Sequence, residues 1–129
     1  MAKQDIPRPT DGELTILRVL WERGPSTVRQ VHRAVCEDRE TAQTTTLKLM
    51  QIMTDKGLLS RDDSDRPAVY SPAITQEKTQ RQLLRNLLDK AFCGSTGKLV
   101  MRALSLKQTS PGEREEIRKL LDQLEGDKP

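Results

Sequence analysis

Gln43, Thr44, Thr45 and Lys48 fall within little more than one turn of a candidate helix. Amide and hydroxyl side chains can donate to and accept from a base edge, and a lysine offers a point charge to a phosphate. Between Gln43 and Thr54, Lys48 is the only charged side chain, and Leu47 stands among these polar residues. An apolar side chain there can touch a thymine methyl but cannot hydrogen-bond a base. Arg61 and Arg66 follow on either side of a short polar run, where they could bind phosphates. Together these residues would suit a surface that reads a double-stranded nucleic acid, or one that grips another protein.

Other chemistry is poorly supplied. His32 is the single histidine and has no serine, cysteine or carboxylate partner in a recognisable order, so no nucleophilic triad is predicted. No glycine-rich phosphate loop occurs, and no paired carboxylates share a face, so an enzyme is not expected. Cys36 and Cys93 lie far apart and outside any paired spacing, which indicates neither a disulfide framework nor a zinc site. His32 and Cys36, one helical turn apart, are the nearest approach to a pair of soft ligands. The expectation is no metal and no cofactor.

Bulk charge does not point to nucleic acid. The 129 residues carry a formal net charge of +3, with 11 basic and 11 acidic side chains in residues 1–74 and 11 basic and 8 acidic in residues 75–129. A basic strip can coexist with neutral totals, because Glu37, Asp38 and Glu40 precede the candidate reading helix while Lys48, Arg61 and Arg66 lie on it and beyond. Residues 1–7 lack the apolar core of a signal peptide, and no apolar run is long enough to span a bilayer. The compartment expected from these features and from the cysteine usage is the cytoplasm, with no membrane partner.

These side chains need a scaffold, and the spacing of apolar residues predicts one. Thr10 and Glu13 form a capping box before a helix over Asp11–Arg23, whose stripe is Leu14, Leu17, Leu20 and Trp21; Gly24-Pro25 ends it. Ser26 or Thr27 caps a second helix with Val28, Val31 and Val35 inward and Arg29, Gln30 and Arg33 outward. The third helix, over residues 41–57, packs Thr46, Leu49, Met50 and Met53, and stops where Lys56 suits the negative helix end and Gly57 supplies a left-handed cap. Leu58–Arg61 and Ala68–Ser71 then read as two short strands around a loop rich in Asp, Ser and Pro, which is a wing at 59–71. In such a helix-turn-helix the second helix crosses the nucleic-acid backbone, where Thr27 and Arg29 could hold a phosphate; an ordinary amphipathic core helix satisfies the same spacing.

Pro72 breaks the chain, and a boundary is expected between residues 74 and 75. Beyond it a long helix carries Leu83, Leu84, Leu87, Leu88, Ala91 and Phe92. A short helix capped by Ser95 carries Leu99, Val100, Ala103 and Leu104. A third, opened by Ser110-Pro111 with Glu113 in a capping box, carries Ile117, Leu120, Leu121 and Leu124. Three helices in so few residues cannot bury these leucines among themselves, so the leucines pack on the first domain or on a second copy of the chain. The spacing favours the second copy.

Thr44-Thr45, Met53, Lys56-Gly57-Leu58-Leu59, Arg61, Arg66 and Tyr70 together resemble the winged-helix signature of the penicillinase-repressor (BlaI/MecI) family. Leu17, Leu20 and Trp21 upstream, with Phe92, Gly94-Ser95 and Leu99-Val100 downstream, extend the likeness over nearly the whole chain. The resemblance implies a mainly α fold, with a winged helix-turn-helix of three helices and a β-hairpin at residues 1–74 and a three-helix dimerisation region at residues 75–129. It implies a homodimeric transcriptional repressor on a palindromic operator, and phosphate contact by the second helix. It also implies release by a membrane-sensor-linked protease that cuts the helix after Gly94-Ser95. Family members so cleaved carry Asn-Phe at the scissile bond, whereas the matching position here is Arg102-Ala103. Some relatives in the wider group bind copper through cysteine pairs near the C-terminus, and Lys119–Pro129 has no cysteine. A winged-helix adaptor that grips another protein is the alternative, since the same architecture serves both uses.

Overall fold

The computed structural model describes residues 8–35 and 42–126. Cys36, the acids Glu37, Asp38 and Glu40, and Thr41 lie outside the described residues, as do residues 1–7 and 127–129. Six helices and one hairpin follow in the order α1 (Asp11–Arg23), α2 (Val28–Val35), α3 (Gln43–Asp55), β1 (Leu59–Asp62), β2 (Val69–Pro72), α4 (Gln76–Ala91), α5 (Thr96–Leu106) and α6 (Pro111–Gly126). The fold is mainly α, a winged helix followed by C-terminal helices. Residues 1–84 form one compact unit and residues 85–129 another, so α4 gives its first half to the first unit.

Local chemistry sets the helix ends. The Thr10 amide donates to Glu13 Oε1 (3.0 Å) and the Glu13 amide to Thr10 Oγ1 (3.2 Å), the predicted box at the start of α1. Gly24, at φ 89°, ends that helix. Thr27, not Ser26, caps α2: its amide donates to Gln30 Oε1 (2.9 Å) and its hydroxyl accepts from the Gln30 amide (3.2 Å). The third helix begins at Gln43 and ends at Asp55, with Lys56 as its cap residue and Gly57 at φ 87°, inside the expected span of 41–57. Thr75, Ser95 and Ser110 each accept from an amide three residues on, opening α4, α5 and α6.

Ile16, Leu17, Leu20, Val31, Met50, Met53, Leu58, Leu59, Tyr70 and Ile74 form the core of the first unit. The stripe of α1 is turned by about one residue from the predicted one: Glu13 and Ile16 are buried, while Leu14 and Trp21 are half-buried. Trp21 lies against the core and donates Nε1–H to the Ile74 carbonyl (3.0 Å), which ties α1 to the segment leaving the wing. Thr79 of α4 is fully buried and donates its hydroxyl to the Thr75 carbonyl (3.0 Å).

The hairpin pairs Leu59 with Pro72, Ser60 with Ser71, Arg61 with Tyr70 and Asp62 with Val69, one residue later in each strand than the sequence suggested. A further connection is absent from the sequence reading. The Ser26 amide donates to the Tyr70 carbonyl (3.0 Å) and the Tyr70 amide to the Ser26 carbonyl (2.8 Å), so the α1–α2 turn adds an isolated bridge to the outer edge of β2.

The second unit is built differently. No residue of α5 or α6 is buried, and Leu87, Val100, Leu104, Leu120, Leu121 and Leu124 are 40–58% exposed in the single chain. Leu84, at the end of the first unit, is 50% exposed. Leu83, Leu88, Phe92, Leu99 and Ile117 are half-buried. No helix among the described residues is long and apolar enough to cross a membrane.

One ion pair closes the first unit. Glu13, with a side chain 2% exposed, receives Lys56 Nζ on Oε2 at 2.7 Å while Oε1 serves the Thr10 amide, joining the start of α1 to the end of α3. Burial alone would raise the Glu13 pKa, but the Lys56 ammonium and the Thr10 hydrogen bonds outweigh it and hold the carboxyl below its ordinary 4.5. Lys56→Met leaves that carboxylate buried without its cation. The expected loss is about 2 kcal/mol at neutral pH, between the ~0–1 of an exposed pair and the ~3–5 of a broken buried one, since Lys56 is partly solvated. Because the folded pKa lies below the unfolded one, the pair's contribution is complete above pH 4.5 and disappears as pH falls through the folded value. Denaturant titrations of both proteins should show the stability gap closing in acid; equal stability at neutral pH would refute the pair's role.

Candidate nucleic-acid interface

Five of the nine residues expected at a nucleic-acid surface come together around one cleft. Thr27 and Arg29 from α2, Gln43 and Leu47 from α3, and Arg61 from β1 line a concavity of about 400 Å³, with Val28, Pro67, Ala68 and Tyr70 completing its wall. Three separate elements thus converge on one groove. Val28, Leu47, Pro67 and Ala68 give it an apolar lining, while Arg29, Gln43 and Arg61 supply charge and hydrogen-bonding groups. The Thr27 hydroxyl accepts from the Gln30 amide and keeps its own proton to donate.

Thr44, Thr45 and Lys48 are exposed on α3 outside this cleft. The roll of α3 that separates the two sets is fixed from below. Met50 and Met53 are fully buried, and Thr46, only 4% exposed, meets His32 Nδ1 at 2.8 Å through Oγ1. The lone histidine therefore joins α2 to α3 at the boundary of the core. Thr46, expected to serve as a small residue of the apolar face, also carries this polar link.

The wing has its own internal order. The Ser64 amide and hydroxyl both donate to Asp62 Oδ1, the amide at 2.9 Å, and together they hold the Asp62 carboxyl below the usual carboxylate range. Arg61 Nε donates to Asp63 Oδ1 at 2.7 Å, and its Cζ stands 6.0 Å from the centroid of the Tyr70 ring. Arg66 lies with Arg61, Asp63 and Asp65 around a second hollow of about 420 Å³, beside the main cleft. Arg61 lines both concavities. The tip therefore presents two arginines among three carboxylates.

Sequence reasoning missed several of these contributors. The Thr27-x-x-Gln30 spacing is that of a capping box and was open to detection. Asp63, two residues after Arg61, carried a local signal that its loop composition concealed. Among the described residues, no group of three or more histidine, cysteine or acidic side chains is arranged to hold a metal ion.

The family model described as penicillinase repressor matches residues 9–123. The chain is 34% identical over 92 residues to the "Transcriptional regulator BlaI" of Mycobacterium tuberculosis, in both strain CDC 1551 / Oshkosh and strain ATCC 25618 / H37Rv; the match covers 70% of this chain and 65% of each relative's length. It is 22% identical over 118 residues to the "Penicillinase repressor" of Bacillus licheniformis, covering 92% of each. Among solved structures, that of the transcriptional regulator PA4135 aligns with a TM-score of 0.45 at 18% identity, over 94% of this chain and 80% of its own. With a family model matched across both compact units, this chain belongs to the penicillinase repressor family.

Proposed function

We propose that this chain is a DNA-binding transcriptional repressor that acts as a homodimer on an inverted-repeat operator. The observation that carries the reading is the convergence of Thr27, Arg29, Gln43, Leu47 and Arg61 on one cleft, beside the exposed Thr44, Thr45 and Lys48 of α3. An exposed helix face free of acid, backed by a packed core and flanked by a wing, has the form and chemistry that enter a major groove. The names of the relatives support the same reading.

Roles divide by chemistry. Gln43, Thr44, Thr45 and Leu47 address base edges, whereas Thr27, Arg29, Lys48, Arg61 and Arg66 address the sugar–phosphate backbone. Replacing Gln43 or Thr45 should relax the choice of base at one position per half-site, by ~1–3 kcal/mol each, whereas Arg66→Ala should weaken all sequences alike and flatten the salt dependence. Gel-shift titrations across salt with genomic fragments measure both, and identical selectivity profiles for all the variants would defeat the assignment. Binding insensitive to salt, with capture of a protein instead, would favour the adaptor reading.

The leucines at 41–58% exposure on α4, α5 and α6 support pairing of two chains through residues 75–129, with residues 1–74 as the reading domain. Amphipathic helices whose apolar faces stay uncovered gain little stability alone. Sedimentation at micromolar concentration should show a dimer, and Leu120→Asp with Leu124→Asp should yield a monomer with an intact winged unit. A wild-type monomer at that concentration would end this part of the proposal.

Release by proteolysis fits the same face. Arg102 and Ala103 are exposed on α5, next to Val100 and Leu104, so a cut there would sever the pairing helices from one another without touching the reading surface. An immunoblot through induction should reveal a fragment ending near residue 102; derepression with only full-length chain would exclude the mechanism.

A further inference from the structure

The wing, which the proposed function turns toward a polyanion, carries three exposed carboxylates, Asp62, Asp63 and Asp65. Asp62 is occupied by the Ser64 turn. Asp63 is placed differently: it takes the Nε–H of Arg61, whose guanidinium stands over the ring of Tyr70. Tyr70 is 1% exposed, its amide and carbonyl both bond to Ser26, and it sits opposite Arg61 in the hairpin register, so the ring is a fixed platform.

The Arg61 and Asp63 side chains are 46% and 68% exposed, so their ion pair adds little to stability. Its consequence is geometric. A free arginine samples many rotamers, and ordering it on binding costs affinity. The carboxylate and the ring restrict the guanidinium before any ligand arrives. With Nε–H given to Asp63, the Nη groups make no hydrogen bond among the described residues, and Arg61 stands at the wall shared by the two concavities.

We propose that Asp63 is a positioning residue for DNA binding: it pre-orders Arg61 so that the Nη groups meet a backbone phosphate, and a carboxylate on the DNA-facing wing thereby raises affinity. The inference rests on the DNA-binding reading above. It runs against simple charge counting, in which removing a carboxylate near phosphates strengthens binding.

The two accounts predict opposite signs. With the full chain and a mixed-sequence duplex, followed by fluorescence anisotropy across a salt series, Asp63→Ala should weaken binding about twofold to tenfold, the worth of pre-ordering one rotamer-rich side chain. Asp63→Asn keeps an oxygen that can accept from Nε, and should retain most of the affinity. In an Arg61→Ala background the sign should reverse, Asp63→Ala now tightening binding because only repulsion remains. Tightening by Asp63→Ala in both backgrounds would overturn the inference and leave DNA binding intact. Arg61→Ala with wild-type affinity would overturn it too, by removing the phosphate contact. Failure of the wild-type chain to bind any duplex is the distinct result that sinks the functional reading itself.

Discussion

The reciprocal pair of backbone hydrogen bonds between Ser26 and Tyr70 is the constraint on which the rest of the winged unit depends. Ser26 sits in the turn that sets the angle between α1 and α2, and Tyr70 sits at the centre of β2. The bridge therefore fixes the wing against the helix that opens the cleft. The Tyr70 ring fills the core between the same elements, and the Arg61 guanidinium stands over it, 6.0 Å from its centroid. Side chains that are distant in sequence, such as Thr27, Gln43 and Arg61, share one groove where this joint holds the wing beside the start of α2.

Much of this was legible from the residues alone, for identifiable reasons. Capping boxes at Thr10 and Ser110 act over three residues, and helix starts were read where they occur. Met50 and Met53 gave α3 its inward face by spacing. What stayed hidden depends on pairs distant in the chain: Glu13 with Lys56, 43 residues apart, and Trp21 with Ile74, 53 apart. Each residue had a sufficient local explanation, Glu13 as a capping residue and Lys56 as a charge at a helix end, and nothing periodic announced that they also meet. His32 and Thr46 were hidden likewise, a polar contact between two helices made by residues 14 apart in the chain. The bridge at Ser26 involves one residue and has no alternation to detect. At the candidate interface, Thr27, Arg29, Gln43, Leu47 and Arg61 were chosen by type and converge in space, whereas the engagement of Arg61 by Asp63 emerged only from geometry.

The charge balance also takes on a different meaning once the contacts are known. A net charge of +3 spread over 129 residues suggests a weak field. Yet the Glu13 carboxylate is buried on Lys56, and Asp62 is bound by its own turn, so two of the acids have structural partners of their own. The face of α3 from Gln43 to Gln51 carries one charge, and it is positive. Local arrangement, rather than total charge, decides what such a surface attracts.

The apolar residues left open on α4, α5 and α6 have a consequence for how the proposed dimer responds to its own abundance. When separate protomers predominate, the population of paired chains rises with the square of total protein, because each pair consumes two copies. Occupancy of a site that needs both reading heads inherits that second-order dependence. Halving synthesis would then cut the paired form by nearly fourfold in the dilute limit. Unpaired copies would also display Leu120, Leu121 and Leu124 to chaperones and proteases, which act on exposed apolar surface. Pairing of this kind would make the response to gene dosage steeper than that of a monomer that binds alone.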